Sequence, residues 1–298
     1  MARVERRWTV LEILRTTTEY LDARAVPEAR LSAEHLLADV LGCRRLDLYL
    51  DFDRPLEPAE IVAYRSCVRR RAAREPVQYI TGTAAFRGLD LRIDRHVLVP
   101  RPETELLVGE VLAWARAEAR RGRAPAGGWR IVDVGTGSGA IACAIACELE
   151  GLRWVLGTDV SLDALRVARA NGAAVGSERL LWTAADGLPA LRPGRSLDAV
   201  VANPPYVGET ERGSLPPEIV EWEPAQALFA GPRGDEALAK IVARAPAVLR
   251  PAGLLALEIG RGQAAAVRDR IRATQGLRYL AAYRDHAGIE RGVLALAA

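Results

Sequence analysis

The chain has 298 residues, half of them hydrophobic and 27% charged, with a net charge of +3. That is enough for one large domain beside a smaller one, and too apolar for intrinsic disorder. No run reaches the roughly 18 apolar residues of a membrane helix and the start, MARVERRWTVLEIL, has no apolar signal core, so a cytoplasmic protein without membrane association is expected.

The four cysteines and three histidines are scattered. Cys143 and Cys147 are spaced to share a helix face, but two thiols without further ligands make no zinc site; they read as small buried hydrophobes, and no metal is expected. The 41 basic residues include one lysine, Lys240. Arg69, Arg70, Arg71 and Arg74 form one cluster and Arg116, Arg120, Arg121 and Arg123 another. Solvated helix faces explain both, so direct nucleic-acid binding is not expected.

Residues 10 to 75 read as helices. VLEILRTTTEYL has helical spacing, LSAEHLLADVLG has Ser32 as N-cap and Gly42 as stop, and EPAEIVAYRSCVRRRAA follows a proline turn. This predicts a helical domain over residues 1–75. From 78 to 99 the period changes to alternation, with Gly82 and Gly88 as turns, which predicts a β-hairpin linker over 76–100. Residues 101–298 form the third part. A helix opens at PRPETELLVGEVLAW with acids in its first turn. Strands are then expected at 130–134, 154–158, 180–184, 198–202, 253–259, 277–283 and 292–297. Helices are expected at 139–149, 162–171, 235–249 and 262–274. Such alternation gives an α/β fold with a mostly parallel sheet, while the short HAGIERG connection forces the last two strands to pair antiparallel.

The stretch IVDVGTGSGAIACAIA is a buried strand, a turn with Gly135, Gly137 and Gly139, and a helix of small residues. No Lys-Ser/Thr follows, so it is no Walker loop. Asp159 ends the next strand, where a carboxylate can accept both hydroxyls of a ribose. Loop and acid together suit any adenosine ligand, whether NAD or S-adenosylmethionine. Three features tilt toward the second. Asp133 lies two residues before the first glycine, as in methyltransferases. The Gly-x-Gly-x-Gly spacing resembles theirs. Asp186 follows the third strand, where the adenine would lie.

A fourth feature is VVANPPYVG. Two prolines cannot continue a ladder, so the strand stops at Ala202 and Asn203–Tyr206 form a stiff lip at its carboxyl end. Ligands of open α/β sheets bind beyond those ends, so lip and glycine loop should face one crevice. Asn203-Pro204-Pro205-Tyr206 resembles the signature of enzymes that methylate a nitrogen conjugated to a π-system, namely a glutamine amide or the exocyclic amine of adenine or cytosine. Such a nitrogen is a poor nucleophile. The Asn203 side-chain oxygen and the Pro204 carbonyl can accept its two hydrogens and aim it, and Tyr206 can stack on its plane.

With LVPRPETELLV, VQYITGTAAFRGLDLRIDRHVLVP and EWEPAQALFAGPRGDEAL, the chain resembles the bacterial release factor glutamine methyltransferases, the HemK/PrmC family, nearly end to end. The resemblance implies a Rossmann-like class I S-adenosylmethionine-dependent methyltransferase: a seven-stranded, mostly parallel sheet with an antiparallel last strand, behind a small N-terminal helical domain that docks the substrate. It implies methyl transfer from S-adenosylmethionine to the glutamine amide of the Gly-Gly-Gln motif in class I peptide chain release factors. The cofactor would be held by Asp133, Gly135, Thr136, Gly137, Ser138, Gly139, Asp159, Val160, Asp186, Gly187 and Asn203. The substrate would meet Asn203, Pro204, Pro205 and Tyr206, also the catalytic set, with Arg101 and Glu103. Gly187 stands where the family often has an aromatic residue, so an adenine contact would come from elsewhere, such as Leu188. Three alternatives stay open: glutamine methylation of a large-subunit ribosomal protein, DNA adenine methylation, and an NAD-dependent oxidoreductase. The last leaves the lip unexplained.

Overall fold

The computed structural model describes residues 8–188, 191 and 193–298. They form two compact units: residues up to Gly82 with Pro216–Trp222, and Thr83–Leu215 with Glu223–Ala298.

In the first unit, helices α1 (Val10–Asp22), α2 (Ala29–Leu41), α3 (Pro58–Ala72) and α4 (Val77–Thr81) enclose Leu14, Leu21, Leu36, Leu37 and Tyr64. Thr9 caps α1 through a full capping box with Glu12. Gly42 ends α2 in the left-handed conformation, as expected. Ser32 is not the N-cap of α2, a correction to the sequence reading. The helix starts a turn earlier, after Glu28, and Ser32 is buried inside it, accepting a hydrogen bond from Arg71 Nε at 3.2 Å. Nor is the first arginine cluster simply a solvated face. Arg71 is 5% exposed and, with Arg74, donates to Glu218 of the 216–222 segment at 3.2 and 2.8 Å, while Arg70 pairs with Glu75 at 2.6 Å.

The second unit opens with a hairpin, β1 (Thr83–Phe86) and β2 (Leu89–Arg92), shorter than the alternation suggested. QYIT before it is helical. After it, Ile93, Val97 and Val99 are buried although they lie outside the strands, because an apolar pattern reports only which side chains face inward. Helix α5 (Pro102–Arg120) follows. Then come β3 (Trp129–Val134), α6 (Ala140–Glu148), β4 (Leu152–Asp159), α7 (Leu162–Val175), β5 (Leu180–Ala184), β6 (Leu197–Ala202), β7 (Val207–Gly208), the turns α8 (Pro217–Val220, part of the first unit) and α9 (Ala225–Leu228), β8 (Phe229–Gly231), α10 (Glu236–Val248), β9 (Leu249–Glu258), α11 (Ala264–Ala273), β10 (Leu277–Arg284) and β11 (Glu290–Ala297). Each expected sheet strand appears within a few residues of its place.

The large sheet has the order β10-β11-β9-β6-β3-β4-β5. Only β11 runs against the others, inserted between β9 and β10. Helices α5, α6 and α7 pack together on one face; α10 and α11 form the other layer. Every residue of β6 is buried, because both faces of a doubly covered sheet are core. From β3 the chain winds outward through β4 and β5, then returns to place β6 on the other side of β3. That reversal opens a crevice at the carboxyl ends of β3 and β6.

Candidate active site

The glycine loop leaves β3 and the lip leaves β6, so topology alone puts both at the crevice. A cavity of about 300 Å³ lies there. Gly135, Thr136, Gly137 and Ser138 line it, as do Asp159, Val160, Asp186 and Gly187, and from the other side Asn203, Pro204, Pro205 and Arg101. Asp133, Gly139, Glu103 and Tyr206 do not.

The loop is fastened to β4. The N–H groups of Gly135 and Thr136 donate to Thr158 O at 2.8 and 2.9 Å. Gly137, at φ +53° where a side chain would strain the backbone, donates its N–H to Asp159 Oδ2 at 2.9 Å. The other carboxylate oxygen of Asp159 accepts from Ser161 N at 2.9 Å. The carboxylate is thus aimed by backbone, and each oxygen keeps a lone pair for a ligand hydroxyl. Asp133 works from beneath. It is fully buried and accepts from the Thr136 hydroxyl at 2.6 Å, so it shapes the loop. Burial pushes its carboxyl up to about 7. Gly139 serves packing: a Cβ there would meet the Trp182 ring at 2.9 Å. Asn171 of α7 donates to Ser138 O at 2.8 Å and to Arg92 O at 3.1 Å, tying loop to hairpin.

The lip is fixed from three sides. Asn203 Nδ2 donates to the Thr104 hydroxyl at 3.1 Å, which leaves Oδ1 buried without a partner among the described residues. Behind the prolines, Gln263 Nε2 donates to Tyr206 O at 3.0 Å. The Tyr206 ring packs on the core and close against Gly260; burial pushes its phenol up to about 12, so it stays neutral and is no base. Its ring packs against the core, and Tyr206 is not among the residues that line the cavity. Arg101 is held by a hydrogen bond to buried Glu223 at 2.6 Å, and Glu103 pairs with Arg291 at 3.2 Å.

Sequence reasoning missed Thr104 and Gln263 behind the lip, and Phe229, His96 and Lys240 in the cavity lining. PRPETE displayed Thr104, but nothing local ties it to an asparagine 99 positions away. Leu188 does line the cavity and Phe229 brings an aromatic ring to it. Of the cysteines, Cys143 is buried, but Cys147 is exposed on α6. No described group of side chains could hold a metal ion, and no described helix is long and apolar enough to cross a membrane.

The chain matches two family models, the PrmC N-terminal domain over residues 12–82 and the methyltransferase small domain over 124–226. The release factor glutamine methyltransferase of Chlorobaculum tepidum is 44% identical over 269 residues, 89% of this chain and 90% of that one. Its namesakes in Rhodopirellula baltica and Geobacter sulfurreducens are 36% and 39% identical, the first covering 95% of each chain and the second 87% of each. Identity of that order over nearly the whole length of each places the chain in the family of release factor glutamine methyltransferases.

Proposed function

We propose that this protein transfers a methyl group from S-adenosylmethionine to the side-chain amide nitrogen of the glutamine in the Gly-Gly-Gln motif of class I peptide chain release factors. The observation that carries the reading is the unpartnered Asn203 Oδ1, on a side chain that lines the cavity next to the glycine loop. A buried acceptor left unsatisfied costs about 1–3 kcal/mol, which an incoming N–H recovers.

The cofactor suits the residues present. Gly135 and Gly137 have nothing within 4 Å of where a Cβ would stand, so the backbone is open to a ligand, and Asp159 is aimed for a ribose. The bound cofactor supplies a methyl already activated on a sulfonium centre. The residues of the chain do the rest. Asn203 Oδ1 and the Pro204 carbonyl accept the two amide hydrogens of the glutamine and orient its nitrogen; both lie on a backbone stiffened by Pro204 and Pro205, so little reorganisation is needed. Positive charge that grows on nitrogen meets two preplaced acceptors. No strong base is needed before attack, and neutral Tyr206 provides none.

The helical unit, which matches the PrmC N-terminal domain over residues 12–82, is assigned the docking of the protein substrate. Direct nucleic-acid contact is not part of the reading: Arg70, Arg71, Arg74, Arg121 and Arg123 are engaged with carboxylates. The test is transfer of labelled methyl with class I release factor, large-subunit ribosomal protein and duplex DNA offered in parallel. Label on the release factor is expected; label confined to either other acceptor overturns the substrate assignment.

A further inference from the structure

Asn171 sits in the third turn of α7, 1% exposed, and every polar group of its side chain is engaged. Its Oδ1 accepts from Arg92 N at 2.7 Å. Its Nδ2 donates to Arg92 O at 3.1 Å and to Ser138 O at 2.8 Å. Turning the amide over would set oxygen against two carbonyls and N–H against N–H, so its orientation is fixed. The packing around it is close as well. A Cβ on Gly139 would stand 3.1 Å from Ala168 Cβ, so α7 lies directly against the loop, and Asn171 comes one turn after that contact.

The glycine loop therefore has two anchors. Its first half hangs on β4 through Gly135, Thr136 and Gly137. Its second half, where Ser138 lines the cavity, is held by Asn171. On the other side of that amide is the end of β2, and the hairpin is itself pinned at its tip. Arg87 donates its backbone N–H to Glu105 Oε1 at 3.1 Å and grips Glu148 through Nε and Nη2 at 2.5 and 2.6 Å. No hairpin residue lines the cavity.

We infer that Asn171 is a positioning residue for cofactor binding: it holds the Ser138 half of the loop to β2, so that loop and hairpin are ordered as one piece when the cofactor arrives. This rests on the glycine loop receiving the cofactor, as proposed above. The coupling is reciprocal. Cofactor that steadies the loop steadies the hairpin, and a loop released from the hairpin binds cofactor less well.

The test combines hydrogen–deuterium exchange, with and without saturating S-adenosylmethionine, with calorimetric cofactor Kd, kcat and Tm. The proteins are wild type, Asn171→Ala, Asn171→Asp and Asp159→Ala. In wild type, cofactor should slow exchange in peptides covering both 135–139 and 83–92, although the hairpin lies outside the cavity lining. Asn171→Ala should keep the slowing in the loop and lose it in the hairpin. Its Kd should rise about tenfold, with kcat at saturating cofactor within about threefold of wild type. Asn171→Asp keeps the acceptor but brings a carboxylate against two carbonyl oxygens, so its Kd should rise at least as far. Asp159→Ala should weaken binding yet keep the hairpin's response once saturated. A residue that served stability alone would lower Tm and leave both Kd and the hairpin's response unchanged. Wild-type exchange that never changes in the hairpin, or wild-type Kd in Asn171→Ala, overturns the inference, and the first of these needs no variant to fold. Wild-type Kd in Asp159→Ala would instead defeat the reading of the loop beneath it.

Discussion

Asn203 and Thr104 are 99 positions apart, yet the side-chain amide of one donates to the hydroxyl of the other at 3.1 Å. The bond joins the end of β6 to the first turn of α5. It turns the nitrogen of the Asn203 amide toward Thr104 and so leaves the oxygen as the unpartnered end of the side chain.

Asn203→Ala removes that oxygen and leaves the loop side of the cavity alone. The expected result is a fall in kcat of about 10²–10³ with cofactor affinity nearly kept, the scale of losing one preorganised charge-stabilising contact. Single-turnover methyl transfer with parallel calorimetry of cofactor binding separates the two quantities.

Asp159→Ala should do the reverse. It deletes the acceptor for Gly137 N–H and the carboxylate aimed at the ribose. A hydrogen bond to a charged group contributes about 1.5–3 kcal/mol, so cofactor Kd should rise at least tenfold while kcat at saturation changes little. Unchanged Kd would mean that the adenosine lies elsewhere.

Gly157→Ala tests the packing under the loop. A Cβ on Gly157 would stand 2.5 Å from the Trp182 ring and 2.8 Å from Thr136 Oγ1. Overpacking of this kind costs about 1–3 kcal/mol. Thermal unfolding should report the loss, and cofactor affinity should fall with it because Thr136 belongs to the loop. A variant as stable as wild type would show that Trp182 is free to move.

In the helical unit, Arg71→Met should destabilise by about 3 kcal/mol or more. Arg71 is nearly buried and serves Ser32, the Glu75 carbonyl and Glu218 together. Breaking a buried network from one side strands its partners. Denaturant unfolding at constant m-value measures the change.

Stability should also fall from mildly acidic to neutral pH. Burial pushes both Asp133 and Glu258 up to about 7, so the folded protein retains protons that the unfolded chain has already lost. Stability therefore decreases as pH rises from the ordinary carboxylate range to about 7, and these two groups add no further change above it. Carboxylates held down by arginine partners, such as Glu148 beside Arg87 and Glu118 beside Arg123, lose their contribution on stronger acidification. A Tm maximum between about pH 5 and 6 is expected. A Tm that climbs steadily from pH 5.5 to 8 would contradict it.

The seven sheet strands were legible because each is a short apolar run between turn signals, and β6 could be ended at Ala202 because prolines carry no N–H. The glycine loop, Asp159 and Asn203 were legible because their chemistry is local to a strand end. Gln263 was not, since its meaning comes from which strand lies beside which. β11 enters between β9 and β10, and no local pattern specifies that order. Ser32 misled for a related reason: an N-cap signal preceded helical periodicity, but the helix had begun a turn earlier and the hydroxyl was needed by Arg71. Tyr206 was read as a stacking surface from its place in the lip; its packing against the core and against Gly260 depends on neighbours distant in sequence.

The most direct test of the central claim compares methyl transfer to two release factors, one with the Gly-Gly-Gln glutamine intact and one carrying glutamate there. The account predicts one methyl on the intact factor, located to that glutamine by peptide mass analysis, and none on the glutamate form. Equal labelling of both factors would contradict it, because the acceptor would then not be the amide that Asn203 is placed to receive.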